Sequence, residues 1–215
     1  MFSYLFSQPL VFIVWVAAFL VALSVHEFSH ALAGTLLGDS TAKRLGRLTL
    51  NPAAHVDMFG LLAVLFIGFG WGKPVPYNPY NLKNQRWGPV LIALAGPVSN
   101  FIFGAVCLFL LSTLGVRLGA SNLFTLFLFI AAQLNVALMA FNLIPLPPLD
   151  GSKVLLALLD KPQYTVFRNF ILQQGPYLLL MLVILDSVMG LGLFSGLINF
   201  AFGVVSNFVS IPGII

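Results

Sequence analysis

Charge is what this 215-residue sequence most lacks: 7% of its residues are Asp, Glu, Lys or Arg, against 60% hydrophobic, and the mean hydropathy is +1.02. A soluble domain carries about 25% charged residues, so the chain is expected in a bilayer. Cysteine is nearly absent, and with Cys107 alone neither an intrachain disulfide nor a cysteine metal cluster can form. The net charge of +4 is spread over short loops instead of a basic stripe, which argues against a nucleic-acid partner. The opening MFSYLFSQPL has neither the basic start nor the small-residue cleavage site of a signal peptide, so the apolar run after it is expected to stay as a mature helix.

What fills the chain is long apolar sequence. Segments at Pro9 to Leu37, Gly88 to Val116, Ser121 to Ile144, Tyr177 to Met189 and Leu193 to Val209 are long enough, or nearly so, to cross hydrocarbon. The expected fold is an all-α polytopic membrane protein of about five to six transmembrane helices. It is read as one membrane-embedded domain over residues 1–215, with a catalytic core at about 10–160 and C-terminal helices at about 173–211.

A weaker segment, Met58 to Trp71, is short and glycine-rich (Gly60, Gly68, Gly70, Gly72 just after), and KPVPYNPYN follows it as turn or edge strand. KRLGRLTLNP before it alternates like a short strand, so a small re-entrant or β-hairpin element is expected between the first two core helices. If Met58 to Trp71 returns to the side it left, Lys43, Arg44, Arg47, Lys73, Lys83, Arg86, Lys153, Lys161 and Arg168 share one side and Arg117 stands alone opposite. A spanning segment would divide them four against six. The positive-inside rule favours the lopsided arrangement and makes the basic side cytoplasmic.

Glu27, the only glutamate, sits between His26 and His30 in the middle of the first apolar helix. Residues four apart share a helix face, so both imidazoles can aim at one point and supply half a zinc site. A buried carboxylate costs about 2.5 to 3.5 kcal/mol at a helix centre on insertion scales, and nothing basic lies within a turn of Glu27. A divalent cation would supply the partner. A hydrolytic zinc has three protein ligands, and His55, Asp39, Asp57, Asp150, Asp160 and Asp186 are the candidates for the third. Only the re-entrant topology brings NLIPLPPLDG, with Asp150, to the membrane depth of the histidines, so the expected set is His26, His30 and Asp150 with one zinc per chain. Glu27, beside the ligands, is the expected general base for attack of water on a peptide bond. Asn142 and Asn100 are candidates to bind the substrate backbone or the developing oxyanion, with interhelical bonding as the alternative use of both. His55 ranks below them as a loop residue.

Together, HEFSH in a membrane helix, GPVSN (Gly96, Pro97, Asn100) and the Asn-x-x-Pro-x-Pro-x-x-Asp-Gly pattern of Asn142 to Gly151 resemble the site-2 protease family of intramembrane zinc metalloproteases, peptidase family M50. The likeness is to the compact branch without a PDZ domain. It implies zinc on His26, His30 and Asp150, Glu27 as base, and a transmembrane protein or peptide as substrate, cut near the cytoplasmic side of the bilayer, most simply the plasma membrane. It also implies that RLGRLTLNP and GWGKPVPYNP form a small sheet whose edge pairs with unwound substrate. The competing class is a metal-binding membrane protein without peptidase activity, such as a transporter or membrane chaperone. A transporter would show further ionisable residues along a path, or inverted repeats with broken helices, and the sequence displays neither.

Overall fold

The structure, a computed structural model, describes residues 4–67, 70–119 and 122–209. Gly68 of the glycine-rich segment, Ser121 and the last residues of the C-terminal segment lie outside that set. Seven helices position the site: α1 (Pro9–Leu36), α2 (Met58–Ile67), α3 (Gly88–Leu118), α4 (Leu123–Asn142), α5 (Gly151–Leu158), α6 (Thr165–Met189) and α7 (Leu193–Phe208). Among the described residues, four stretches are long and apolar enough to cross a membrane, at Pro9–Leu36, Gly88–Gly115, Leu123–Asn142 and Pro162–Met189. The 28 residues of α1 rise about 42 Å, more than the ~30 Å of hydrocarbon. The chain is an all-α integral membrane protein, and α7, apolar but 16 residues long, packs against α4 and α3.

Helices α1, α3 and α4 form the core. Small residues make their close approach possible: Ala18, Ala22 and Ala31 of α1 and Ala131, Ala132 and Ala140 of α4 are all buried. Trp15 and Phe19, stacked with ring centroids 5.5 Å apart, belong to the same buried cluster as Cys107, Leu108 and Leu128. Lipid is as apolar as these side chains, so packing contacts and interhelical polar bonds are what select this arrangement.

Segment 56–72 folds back on itself. Asp57 Oδ1 accepts the Gly60 N–H at 2.8 Å at the start of α2, and beyond the helix Gly72 forms an antiparallel bridge with Val56 while Lys73 N donates to His55 O at 2.7 Å. Its two ends are therefore neighbours. Gly60 makes the return possible, since a methyl group there would lie 1.9 Å from Trp71 O.

The expected small sheet is not formed among the described residues. Thr41–Arg44 is a helical turn, residues 45–50 are turns and bends, and the Val56–Gly72 bridge is the remnant of pairing. Side chains replace the ladder. Arg47 donates from Nη1 to Pro74 O at 3.1 Å and from Nη2 to Lys73 O, while Pro74 and Pro76 have no N–H to offer a second strand. A second difference is α6, which begins at Thr165, twelve residues before the apolar run at Tyr177, because its first turns are polar and Pro176 interrupts the pattern inside the helix.

Candidate metal centre

His26, Glu27 and His30 are all buried, although their helix carries no Lys, Arg or Asp. The Nε2 atoms of the two histidines are 2.9 Å apart, and Asp150 Oδ2 lies 3.3 Å from each. Asp150 arrives there at the N-terminal edge of α5, immediately after the Pro145, Pro147, Pro148 run. The orientation of the imidazoles follows from their other nitrogens. His30 Nδ1–H donates to Ile92 O at 2.7 Å and His26 Nδ1–H donates to Asn100 Oδ1 at 2.5 Å. Each neutral ring then presents an Nε2 lone pair to the centre.

Three acceptors therefore converge with no donor among them, and Asp150 Oδ2 is buried without a hydrogen-bond partner. Two imidazole lone pairs and a carboxylate oxygen turned toward one another repel; a cation resolves the conflict. Ligand atoms held tetrahedrally at about 2.0–2.1 Å from zinc lie about 3.4 Å from one another, close to the triangle of 2.9, 3.3 and 3.3 Å seen here. The donor set fits zinc. Glu27 also brings a carboxylate oxygen within 4.8 Å of the imidazole nitrogens, but Asp150 is nearer to both, which leaves Glu27 beside the centre with its Oε2 buried and unpartnered.

The supporting groups are specific. Asn100 is fully buried, donates from Nδ2 to Asn135 Oδ1 at 2.7 Å, and Asn135 Nδ2 donates to Ala131 O at 2.7 Å, so an amide relay runs from α4 through α3 to His26. Gly96 lets α3 lie against the histidines, since a methyl group there would be 2.5 Å from Cε1 of both rings. Asn135 has no place in the sequence expectation, and Arg47 enters it only as a loop cation. An asparagine inside the apolar stretch QLNVALM was the available signal for Asn135; buried Arg47, which interacts electrostatically with Glu27, lies outside any helical pattern that would have joined the two.

A cavity of about 620 Å3 opens onto the centre, lined by His26, Glu27, His30 and Asp150 on one side and by the extended Gly70 to Tyr77 stretch and α6 on the other. Asn142 lines it, with its Nδ2 donating back to Leu138 O at 3.0 Å. Asn100 does not line it; its hydrogen-bonding capacity is committed to His26, Asn135 and Ala22 O, so the expectation that it contacts substrate is replaced by one of positioning His26. His55 is likewise absent from the lining. It is fully buried, with Nε2–H donating to Thr49 O at 2.7 Å, so it holds the loop before α2 instead of reaching substrate. The other carboxylates are elsewhere: Asp186 accepts Leu193 N at 2.7 Å at the start of α7, and Asp160 is exposed.

Asp39, one turn past α1, is the second buried carboxylate of the region. It accepts from Thr41 N at 3.1 Å, Thr41 Oγ1 at 2.6 Å, Asn78 N at 2.7 Å and Asn81 Nδ2 at 2.8 Å. Burial acts to raise its pKa, yet these hydrogen bonds prevail and hold it down at about 2.

Comparison with known sequences agrees with this geometry. The family model for peptidase family M50 matches residues 115–183. YwhC of Bacillus subtilis (strain 168) is 43% identical over 145 residues, 65% of this chain and 66% of YwhC. The chain belongs to peptidase family M50, the site-2 protease family. Rip2 of Mycobacterium tuberculosis (strain ATCC 25618 / H37Rv) is 33% identical over 158 residues, 67% of this chain and 58% of Rip2. Zinc metalloprotease MJ0392 of Methanocaldococcus jannaschii is 28% identical over 152 residues, 69% of this chain and 36% of its own length. YwhC and Rip2 carry provisional zinc-metalloprotease names, and this M50 chain spans 66% of the first and 58% of the second. No solved structure matches the chain.

Proposed function

We propose that this M50 chain is an intramembrane zinc endopeptidase that cuts peptide bonds of transmembrane segments near the cytoplasmic face, in the plasma membrane. The observation that carries the reading is the set of three converging acceptors, His26 Nε2, His30 Nε2 and Asp150 Oδ2, opening onto a cavity inside a bundle of membrane-length helices. When bound there, zinc polarises a carbonyl and brings the pKa of water to about 7.

The chain's own residues do the rest. Glu27, next to His26 and lining the cavity, accepts the proton of the attacking water on its carboxylate and returns it to the departing amine. Asn100 and Ile92 O fix the two rings so that neither ligand nitrogen is lost to a tautomer change. A helical peptide bond is shielded by its own backbone, so the substrate unwinds before it reacts. The Gly70 to Tyr77 stretch along the cavity receives it, with Val75 and Tyr77 supplying the N–H groups that Pro74 and Pro76 lack. The nine-to-one distribution of cations and the return of segment 56–72 support the cytoplasmic orientation.

The test is zinc content together with cleavage of a helical membrane reporter by the purified chain. Near one zinc per chain is expected, and Glu27→Gln should keep the metal while losing about 10²- to 10⁴-fold in turnover. Full activity of that variant removes the mechanism. For orientation, cysteines introduced at Lys43 and at Lys83 should react with an impermeant thiol reagent from the cytoplasmic side alone.

A further inference from the structure

A second cavity of about 300 Å3 adjoins the first. Tyr77, Pro89 and Lys153 line both, so the two spaces share these side chains as a common wall. The second space is cationic: Arg86, Lys153 and Arg168 face it, with Asp160 as its one acid. None of the three cations makes an ion pair with a carboxylate among the described residues. Arg86 is partly engaged, donating to Ala157 O at 3.1 Å and lying over the Trp87 ring. Arg168 is not: its Nε–H is buried and unpartnered, a donor left without the acceptor that burial demands. Lys153 is half-buried, one helical turn beyond Asp150 on α5.

We infer that this cavity is a specificity subsite that holds an acidic side chain of the substrate flanking the cut bond. The inference rests on the peptidase reading above. An extended peptide advances about 3.3 Å per residue, and one turn of α5 separates the metal-facing carboxylate from Lys153 by about 5 Å, which places the favoured Asp or Glu about one to two residues from the scissile bond. A carboxylate there would accept from Arg168 Nε and from the Lys153 ammonium, supplying the two groups with the partner they lack. An anionic lipid headgroup shares this chemistry, but it would approach from the membrane surface. The side chains shared with the catalytic cavity, Tyr77, Pro89 and Lys153, put this space beside a chain threaded through that cavity and favour the peptide.

The test has a binding arm and a cleavage arm, both on the full-length zinc protein in neutral phosphatidylcholine vesicles. In the first, a fluorescent peptide with Glu at each of those flanking positions is titrated against the Glu27→Gln protein, beside its Gln-substituted twin. The acidic peptide should bind about tenfold more tightly, the advantage shrinking with salt, and the preference should reverse toward a Lys-substituted peptide in Lys153→Glu/Arg168→Glu. A reversal is a gain that misfolding cannot imitate. In the second arm, kcat/KM for acidic over neutral reporters should show the same ratio in the parent and the same inversion in the double variant. Equal binding of all three peptides overturns the subsite even if every reporter is cut, whereas selective binding without any cleavage supports the subsite and removes the peptidase reading. A preference that appears only when phosphatidylglycerol is present assigns the cations to lipid and overturns the proposal.

Discussion

Asp150 and Asp39 are carboxylates of the same small region, both placed by loops that follow membrane helices, and they have opposite surroundings. Asp39 receives hydrogen bonds from Thr41, Asn78 and Asn81. Asp150 Oδ2 faces only the two imidazole nitrogens. A buried anion whose donors are supplied by the chain is a structural tie, here between the end of α1 and the 78–83 loop. One that meets other acceptors is half of an unfinished coordination shell. Burial by itself does not separate the two; the count of donors does.

Exchanging the roles breaks the comparison most sharply. Asp150→Asn should weaken zinc binding by more than the ~10- to 100-fold that outer contacts are worth, measured by competition with a chromophoric chelator. Asp39→Ala should leave zinc affinity where it was. Of intermediate size, Asn135→Leu removes the acceptor for Asn100 Nδ2 and lets that amide turn away from His26, for which a ~10-fold loss of zinc affinity is expected in the same assay. Smaller in free energy, Asp39→Ala leaves the Thr41, Asn78 and Asn81 donors without their acceptor and should lower stability by about 1–3 kcal/mol, read as a lower Tm in detergent.

The smallest effect is in pH. Because the folded pKa of Asp39, about 2, lies below its ordinary value of 3.8, its stabilisation is complete above about pH 4 and is lost as pH falls toward 2. Acid unfolding of the parent should be steeper over that window than that of Asp39→Asn, followed by Tm against pH. Identical profiles would mean the tie contributes nothing to folding.

Much of the fold could be read from apolar runs, because a helix in lipid must be continuous and long. The starts of α1, α3 and α7 follow those runs closely. The start of α6 does not, since Thr165 to Gly175 mixes Arg168, Asn169, Gln173 and Gln174 with apolar residues and therefore lacks the signature of a buried span. The strand-like alternation of RLGRLTL misled for a related reason: alternation marks a pleated surface only if a partner strand exists, and Arg47 and Asp39 bind the neighbouring backbone through side chains instead. At the centre, the convergence of HEFSH and the Asp150 turn was legible because both were expected at the same membrane depth. The choice between Asn100 as a substrate contact and as a support for His26 was not, since an amide serves either purpose and only its neighbours, Asn135 and Ala131 O, decide.

That chain of amides has a further effect on traffic at the centre. It begins at His26 Nδ1 and terminates on the Ala131 carbonyl, and every link beyond the imidazole is an amide that neither gains nor releases hydrogen ions at ordinary pH. The bundle interior is thereby insulated on that flank. Under the proposed mechanism, hydrogen ions set free during turnover would leave on the Glu27 side, through the same opening that would admit water and substrate, so whatever plugs that mouth would arrest all three together.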